Sequence, residues 1–118
     1  MMIRKVLGPL LMIAATLVSI EAKSAEVQIP RTMQDKGKYY LLDSATRGGI
    51  TTTLHKRVGV NEIGYSKTEI NCKTMEYRDM GYSEVGPDKI TVVASRWTKV
   101  LTGSSKSDLV NFVCSRKS

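Results

Sequence analysis

The stretch from Tyr65 to Tyr82 constrains the fold most, because it has the pattern of a β-hairpin with a cysteine at its turn. Folding it back between Lys73 and Thr74 aligns three complementary pairs: Ile70 with Tyr77, Glu69 with Arg78, and Tyr65 with Tyr82. Cross-strand pairs of these kinds contribute roughly 0.2–1 kcal/mol each, and here they agree on one register. Since Lys-Thr is unsuited to a two-residue type I′ turn, we expect a longer loop from Cys72 to Met75.

The chain has two cysteines, Cys72 and Cys114, and we predict a disulfide that holds a C-terminal helix against the hairpin. Closing a loop of this length contributes on the order of 4 kcal/mol in the chain-entropy model. A metal site or a redox pair is the alternative interpretation. However, the single histidine cannot complete a four-ligand zinc site with two cysteines, and the sequence has no CxxC motif. We therefore expect no metal and no cofactor.

Residues 1–24 have the composition of a signal peptide. Arg4 and Lys5 precede a mostly apolar run, and the segment from Ala22 to Ser24 supplies small residues for cleavage. The run of about 15 residues is shorter than the roughly 20 that a membrane-spanning helix needs, although an uncleaved anchor is the alternative. No cysteine follows the run, so we expect no lipid attachment. We predict an exported protein, in the periplasm or at the cell surface, where disulfides form.

The predicted mature chain is basic. The full chain has a net charge of +7, and residues 1–24 contain three of its 18 basic and one of its 11 acidic residues, which leaves +5. A basic exported domain can bind anionic lipid, polysaccharide, nucleic acid or an acidic protein, and a merely solvated surface is the alternative. Because no nucleic-acid-binding motif is present, we do not expect a nucleic-acid partner.

The remaining pattern predicts an α+β domain over residues 39–118, preceded by a flexible lead-in over residues 25–38. Strand-forming runs outside the hairpin lie at Tyr39–Ser44, Ile50–Val58 and Lys89–Trp97. Ser105-x-x-Asp108 resembles a capping box and opens a helix with an apolar stripe of Leu109, Val110, Phe112 and Val113. Closely spaced strands favour an antiparallel meander of about five strands, with the C-terminal helix packed on one face and one disulfide.

The strand at Ile50–Val58 alternates between two faces. One face carries Ile50, Thr52, Leu54 and Val58, and the other carries Thr51, Thr53, His55 and Arg57. We expect His55 on the polar surface. A catalytic triad of His55 with Asp43 and Ser44 lacks a nucleophile-elbow motif, the carboxylates are dispersed, and the chain has no phosphate-binding loop. We therefore predict a protein that is not an enzyme.

Binding is the function class that the sequence favours. We expect Tyr65 and Tyr82 on the outer face of the hairpin beside Arg78, and aromatic and arginine side chains dominate binding hot spots. Lys56 and Arg57 form a local positive cluster with His55. Packing and solvation are the alternative interpretation. The candidate ligand-binding residues are Tyr65, Arg78, Tyr82, Lys56 and Arg57.

A longer pattern connects these segments. The order Ile70-x-Cys72, Tyr77-Arg78, Trp97, Gly103-Ser104 and Val113-Cys114 resembles the bacterial surface-adhesin protein E family over roughly residues 38–114. The resemblance implies an antiparallel sheet with a C-terminal helix and a bridge between Cys72 and Cys114, in agreement with the prediction from the residues. The matching residues are structural, so the resemblance assigns no ligand-binding residue.

The resemblance also implies a function. Members of the family include an outer-membrane lipoprotein adhesin that binds host matrix and serum proteins and can dimerise, whereas this sequence lacks the lipidation cysteine. We therefore expect a small, exported, adhesin-like module whose partner is another protein, from the host or the cell envelope, or a second copy. One alternative is a periplasmic accessory protein of an envelope, secretion or conjugation assembly. Another is an inhibitor or immunity protein.

Overall fold

The computed structural model describes residues 26–33 and 35–116, so the predicted signal peptide, residues 1–24, lies outside the described residues. Its elements in chain order are β1 (Val27–Gln28), β2 (Lys38–Arg47), β3 (Ile50–Val58), β4 (Ile63–Asn71), β5 (Glu76–Ser83), a 3-10 turn (Pro87–Lys89), β6 (Thr98–Lys99) and the helix α1 (Ser105–Arg116). The strands form one six-stranded antiparallel sheet in which each pairs with its neighbour in sequence. This confirms the predicted α+β class.

The predicted disulfide between Cys72 and Cys114 is confirmed, with the two Cα atoms 5.5 Å apart. Because side chains alternate along a strand, Cys72 lies on the same side of the sheet as Ile70, and the disulfide places α1 over that side. The hydrophobic core lies between α1 and the sheet and consists of Ile29, Leu41, Ile70, Leu109, Val110 and Val113.

The hairpin of β4 and β5 follows the predicted register near its turn and departs from it further away. The pairs Ile70–Tyr77 and Glu69–Arg78 are confirmed, and so is the loop from Cys72 to Met75. Between Lys67 and Thr68 the register shifts by one residue, so Tyr82 pairs with Ser66 and not with Tyr65, as we had expected. Gly81 adjoins this bulge with φ of 142°, a conformation that side chains rarely allow.

Strand β3 has the predicted bounds but presents the unexpected side to the helix. Thr51, Thr53 and His55 are buried beneath α1, whereas Leu54 and its apolar neighbours point away from it. The expectation of a surface-exposed His55 is therefore wrong. We call the side that carries Thr51, Thr53 and Ile70 the covered face, and the side that carries Thr52, Leu54 and Glu69 the open face.

The segment from Lys89 to Trp97, predicted as the strongest strand, is irregular. It follows β5 with two backbone hydrogen bonds, from Val93 N to Met80 O (3.1 Å) and from Ser95 N to Asp79 O (2.8 Å). The bulge in β5 interrupts the spacing that a regular strand partner needs, and strand propensity depends strongly on such context. Regular pairing starts later, at the short β6.

The described part of the predicted lead-in over residues 25–38, namely residues 26–33 and 35–38, belongs to the fold and does not merely precede it. It contributes β1, which pairs with β2, and Ile29 is 2% exposed in the core. Arg31 Nε donates to Asp108 Oδ2 at 2.7 Å, and Thr32 N donates to the same oxygen at 3.0 Å. The domain therefore starts before residue 39.

The start of α1 differs from the predicted capping box by one residue. Ser104 is the capping residue, because its hydroxyl accepts a hydrogen bond from Ser107 N at 3.0 Å. Asp108 is engaged by Arg31 and Thr32 instead. Burial disfavours the charged form of Asp108, but these hydrogen bonds outweigh it and keep the pKa of Asp108 below its ordinary value.

Candidate functional site

The open face is the first candidate site, because no described helix covers it. Strand pairing arranges its side chains in rows across β2, β3, β4 and β5. The rows are Lys38, Val58 and Ile63; Tyr40, Lys56 and Tyr65; Asp43, Leu54 and Lys67; Ala45, Thr52, Glu69 and Arg78; and Arg47, Ile50, Asn71 and Glu76. Three of the five predicted binding residues, Lys56, Tyr65 and Arg78, lie here.

One row combines a cation with two tyrosines. Lys56 lies opposite Tyr40 on one side and Tyr65 on the other, and its ammonium is 5.4 Å from the centre of the Tyr40 ring. Lys56 Nζ also donates to Glu26 at 2.7 Å, and this hydrogen bond raises the pKa of Lys56. The row therefore presents aromatic surface around a charge that is already paired.

Arg78 forms a second cation–aromatic pair in another row of the open face. Its guanidinium carbon lies 4.8 Å from the centre of the Trp97 ring, and its nitrogens bind the Glu69 carboxylate at 2.8 Å. Trp97 is 36% exposed. Because the carboxylate and the ring fix the guanidinium, Arg78 is positioned without a ligand.

Aliphatic side chains occupy the middle of the open face. Ile50, Leu54 and Val58 of β3 are half-buried there. Each lies directly opposite a basic residue of a neighbouring strand: Arg47 opposite Ile50, Lys67 opposite Leu54, and Lys38 opposite Val58. Thr52 and Lys56 separate these aliphatic residues along β3, and Asp43 lies opposite Leu54 on the β2 side. The open face is thus an interrupted apolar strip bordered mainly by cations.

The other two predicted binding residues, Arg57 and Tyr82, lie on the covered face. They line a cleft of about 180 Å³ at the start of α1, which we call the helix-start cleft. Its lining consists of Ile29, Tyr39, His55, Arg57, Glu62, Gly64, Ser66, Tyr82, Ser105, Lys106 and Leu109. The predicted grouping of Tyr82 with Tyr65 is therefore wrong, because the bulge in β5 turns Tyr82 to the opposite face.

The predicted cluster of His55, Lys56 and Arg57 is divided in the same way. Successive side chains of a strand point to opposite faces, so Lys56 is separated from the other two by the sheet. Arg57 packs against Gly37, where a Cβ atom would collide with the guanidinium. Arg57 Nε donates to Tyr39 Oη at 3.0 Å, which raises the pKa of Arg57, and Nη1 lies 3.4 Å from Glu62.

His55 lies on the wall of the helix-start cleft and is 8% exposed. Burial and, to a lesser extent, the nearby ammonium of Lys106 lower the pKa of His55 to about 4, while Asp79 opposes the shift. Its Nδ1 has no hydrogen-bond partner among the described residues. The imidazole is therefore neutral at pH 7, and it adds no charge to a basic cluster.

Lys106 was not singled out by the sequence. Its ammonium lies 2.6 Å from Asp79 Oδ1 and 5.2 Å from the centre of the Tyr77 ring, at the first turn of α1. Tyr82, which also lines the helix-start cleft, donates from its Oη to Glu84 Oε2 at 3.0 Å. A basic residue three positions after the Gly103 turn is the signal that the sequence offered for Lys106, and it is a weak one.

Two other features concern catalysis and metal binding. Asp43 pairs with Leu54 on the open face, whereas Ser44 and His55 lie on the covered face, so these residues do not assemble as a triad. Within residues 26–33 and 35–116, no three His, Cys, Asp or Glu side chains form a group that could hold a metal ion. Nor does this part of the chain contain a helix long and apolar enough to cross a membrane.

None of the protein-family models, curated proteins or solved structures compared with this chain matches it. The open face and the helix-start cleft, together with the sequence, are the features of the protein that bear on its function.

Proposed function

We propose that the protein is an exported, non-catalytic bacterial module that binds another protein through its open face. The observation that carries the proposal is the orientation of β3. The aliphatic half of this strand, Ile50, Leu54 and Val58, points away from the helix, while threonines occupy the core side. An apolar strip left outside the core is typical of an interaction surface.

The side chains around this strip define the partner that it fits. Arg47, Lys67 and Lys38 lie opposite the three aliphatic residues, so a complementary surface has an apolar centre bordered by carboxylates. Opposite charges at the border of an interface increase the association rate more than the affinity. We therefore expect the association rate to fall as the salt concentration rises.

Aromatic and arginine side chains along the strip support the same function. The Tyr40–Lys56–Tyr65 row lies between Leu54 and Val58, and the row of Arg78, which stacks on Trp97, lies between Ile50 and Leu54. Tyrosine, tryptophan and arginine are enriched at binding hot spots. Because Arg78 is already held by Glu69, little side-chain entropy is lost when a partner binds it.

Export of the protein is part of the proposal and rests on the N-terminal pattern together with the disulfide. The protein E resemblance favours an adhesin-like role at the cell surface. The absence of a cysteine after the apolar run favours the alternative, a periplasmic accessory protein. Fractionation of the native host separates the two: recovery with the outer surface supports the former, and recovery in the periplasm supports the latter.

Site-specific photocrosslinking tests the open face directly. A benzophenone amino acid is placed at Leu54, in the centre of the strip, and in a matched control at Asn111, an exposed residue of α1. In the native host, we expect illumination to give a discrete adduct from position 54 and none from position 111. Non-reducing electrophoresis verifies that both variants retain the disulfide.

The outcomes distinguish the candidates. An adduct with another protein supports the proposal, and an adduct at twice the mass of the chain identifies the partner as a second copy. An adduct from position 111 alone, or none from position 54 in the compartment that contains the protein, would contradict binding through the open face.

A further inference from the structure

We propose that two copies of the protein pair through the free edge of β2. This strand has ten residues, but β1 and the residue after it pair only with residues 39–41. No other described strand lies on that side of β2, and residues 43–47 are all exposed. The free edge consists of strand backbone, so this inference does not depend on the proposed partner of the open face.

The predicted export keeps the edge free. Because β1 runs antiparallel to β2, only residues before Val27 could extend β1 along residues 43–47. With the predicted cleavage after Ser24, only Ala25 and Glu26 precede Val27. Two residues are too few to cover the five-residue edge.

The hairpin loop after β2 determines which backbone groups face the edge. Gly48 and Gly49, with φ of 60° and 83°, form a two-residue loop between Arg47 and Ile50. In such a hairpin the two flanking residues form a hydrogen-bonded pair. The N–H and C=O groups of Arg47 therefore point to β3 and not to the edge.

The next residues alternate from this starting point. Hydrogen-bonded and non-hydrogen-bonded pairs alternate in an antiparallel ladder, so Ala45 also bonds to β3. The N–H and C=O groups of Ser44 and Thr46 then point to the free edge, where the described residues offer them no partner. The edge thus presents two residues whose backbone groups are ready to pair with another strand.

A two-fold axis at Ala45 joins two such edges without a mismatch. Antiparallel pairing around this axis places Ser44 opposite Thr46 of the second copy, and the axis generates this pair twice. Each pair exchanges two backbone hydrogen bonds between the groups that point outward. Ala45 lies opposite itself, and its small side chain leaves the two strands room to approach.

Charge favours this register over the others that the backbone allows. The axis places Asp43 opposite Arg47 of the second copy, also twice, and both residues lie on the open face. Within residues 26–33 and 35–116, neither forms an ion pair. Sliding one copy by two residues separates Asp43 from Arg47. Charges of one sign on an edge prevent pairing, whereas opposite charges at complementary positions support it.

The geometry of the pair has a consequence for binding. A two-fold axis between antiparallel strands is perpendicular to the sheet, so both open faces lie on the same side of one continuous sheet. The dimer therefore presents two open faces to one partner surface, and binding by both raises the apparent affinity without a new contact. Arg47 is occupied by Asp43 of the second copy, while Lys38 and Lys67 remain at the border of each open face.

Sedimentation velocity of the exported protein over a concentration series tests the proposal. We expect the wild type to form a reversible dimer. Asp43→Arg and Arg47→Asp each place like charges opposite one another at both positions, so each should dimerise about tenfold more weakly or worse. Asp88→Arg and Arg96→Asp make the same charge changes at exposed positions away from β2 and should dimerise like the wild type.

An equimolar mixture of Asp43→Arg and Arg47→Asp provides the sharpest test. In the mixed pair, the two arginines of one variant lie opposite the two aspartates of the other. We expect the mixture to form a heterodimer although each variant alone does not dimerise at the same concentration. Non-reducing electrophoresis verifies that both variants retain the disulfide.

A cysteine at the axis locates the contact. Opposing Cα atoms of a non-hydrogen-bonded pair are about 4.5 Å apart, within the range of roughly 4.4–6.8 Å that a disulfide spans. Air oxidation of Ala45→Cys should therefore link two chains. Ala94→Cys, at an exposed position beyond β5, is the matched control and should stay unlinked.

The proposal is overturned if the wild type sediments as a monomer at every concentration, or if both single charge variants dimerise as strongly as the wild type. A mixture of the two variants that stays monomeric would also overturn it. So would linkage through Ala94→Cys as readily as through Ala45→Cys. In the native host, a benzophenone amino acid at Ala45 that forms an adduct only with a different protein would give the edge to another occupant and contradict the dimer.

Discussion

The two faces of the sheet differ in a way that reverses the usual relation between polarity and burial. On β3, the covered face carries Thr51, Thr53 and His55, while the open face carries Ile50 and Leu54. The difference teaches that the more apolar side of one strand does not decide which side is covered. The disulfide decides it here, because Cys72 lies on the side of Ile70, and α1 must follow Cys114 to that side.

The covered face tolerates the threonines of β3 because both Thr51 and Thr53 find partners, whereas His55 Nδ1 and Thr68 Oγ1 have none among the described residues. Thr53 Oγ1 donates to the Thr68 carbonyl at 3.0 Å, and the hydroxyls of Thr46 and Thr51 lie 2.7 Å apart. Hydrogen-bonded threonines bury their methyl groups at little cost. Apolar burial comes instead from α1, from Ile29 just after β1, and from single aliphatic residues of β2 and β4. The covered face therefore depends on α1 more than on β3.

Removing α1 is expected to have the largest effect on this arrangement. A chain that ends at Ser104 exposes both faces of the sheet and loses the side chains of Leu109, Val110 and Val113 from the core. We expect it to show no cooperative thermal melt. Full-length Cys114→Ser is the control, since it lacks the disulfide but retains the helix. A cooperative melt of the truncated chain would contradict the dependence of the covered face on α1.

Removing the disulfide should have the next largest effect. We expect Cys72→Ser and Cys114→Ser each to lower the free energy of unfolding by about 4 kcal/mol, the loop-closure term for a bridge of this span. The double variant should be no less stable than either single variant, because each one already breaks the same bond. Additive losses in denaturant titrations would show that the two residues act separately.

Acid should lower the stability of the fold by protonating His55, which is buried on the covered face. Its pKa is about 4 in the folded chain and 6.5 ordinarily, so the unfolded chain binds the proton more readily. The free energy of unfolding should fall by roughly 3 kcal/mol as the pH decreases from about 6.5 to about 4, and the effect of His55 should then level off. Lys106 and Asp79 are the charged groups that act on His55.

Denaturant titrations at pH 7 and pH 4.5 measure this effect. His55→Gln should lose most of the pH dependence in this range, because its side chain does not titrate. The pKa of Asp108 is also lowered, so its contribution persists above its ordinary pKa of 3.8 and is lost only at lower pH. An equal pH dependence in His55→Gln and the wild type would place the titrating group elsewhere.

The sequence predicted the elements of the fold better than the orientation of their faces. Charge and aromatic pairing near the turn predicted the correct register for Glu69 and Arg78, and the strand-forming pattern over Ile50–Val58 predicted the bounds of β3. The bulge beside Gly81 could not be read from local pairing, because Tyr65 opposite Tyr82 is equally favourable as a contact. That single residue moved Tyr82 from the open face to the helix-start cleft.

The side of β3 that is buried could have been inferred from relations between distant residues of the sequence. Cys72 and Ile70 share a side of β4, and an antiparallel partner places Thr51 and Thr53 on the same side. The alternation of β3 alone favoured the opposite choice. The helix-start cleft combines residues from six separate segments, among them Ile29, His55 and Lys106, so no local pattern could predict it.

The smallest expected effect on stability comes from exchanging single side chains of neighbouring residues on β3. Thr53→Val removes the hydrogen bond to Thr68 and should cost about 1 kcal/mol. Leu54→Thr removes apolar surface that is already partly in water, so its cost should be of similar size or smaller.

The two variants, Thr53→Val and Leu54→Thr, should differ in their effect on binding. We expect Leu54→Thr to weaken association with a partner captured through the open face, and Thr53→Val to leave it unchanged. The opposite result would assign the partner to the covered face, and the apolar side of β3 would then have no role in binding.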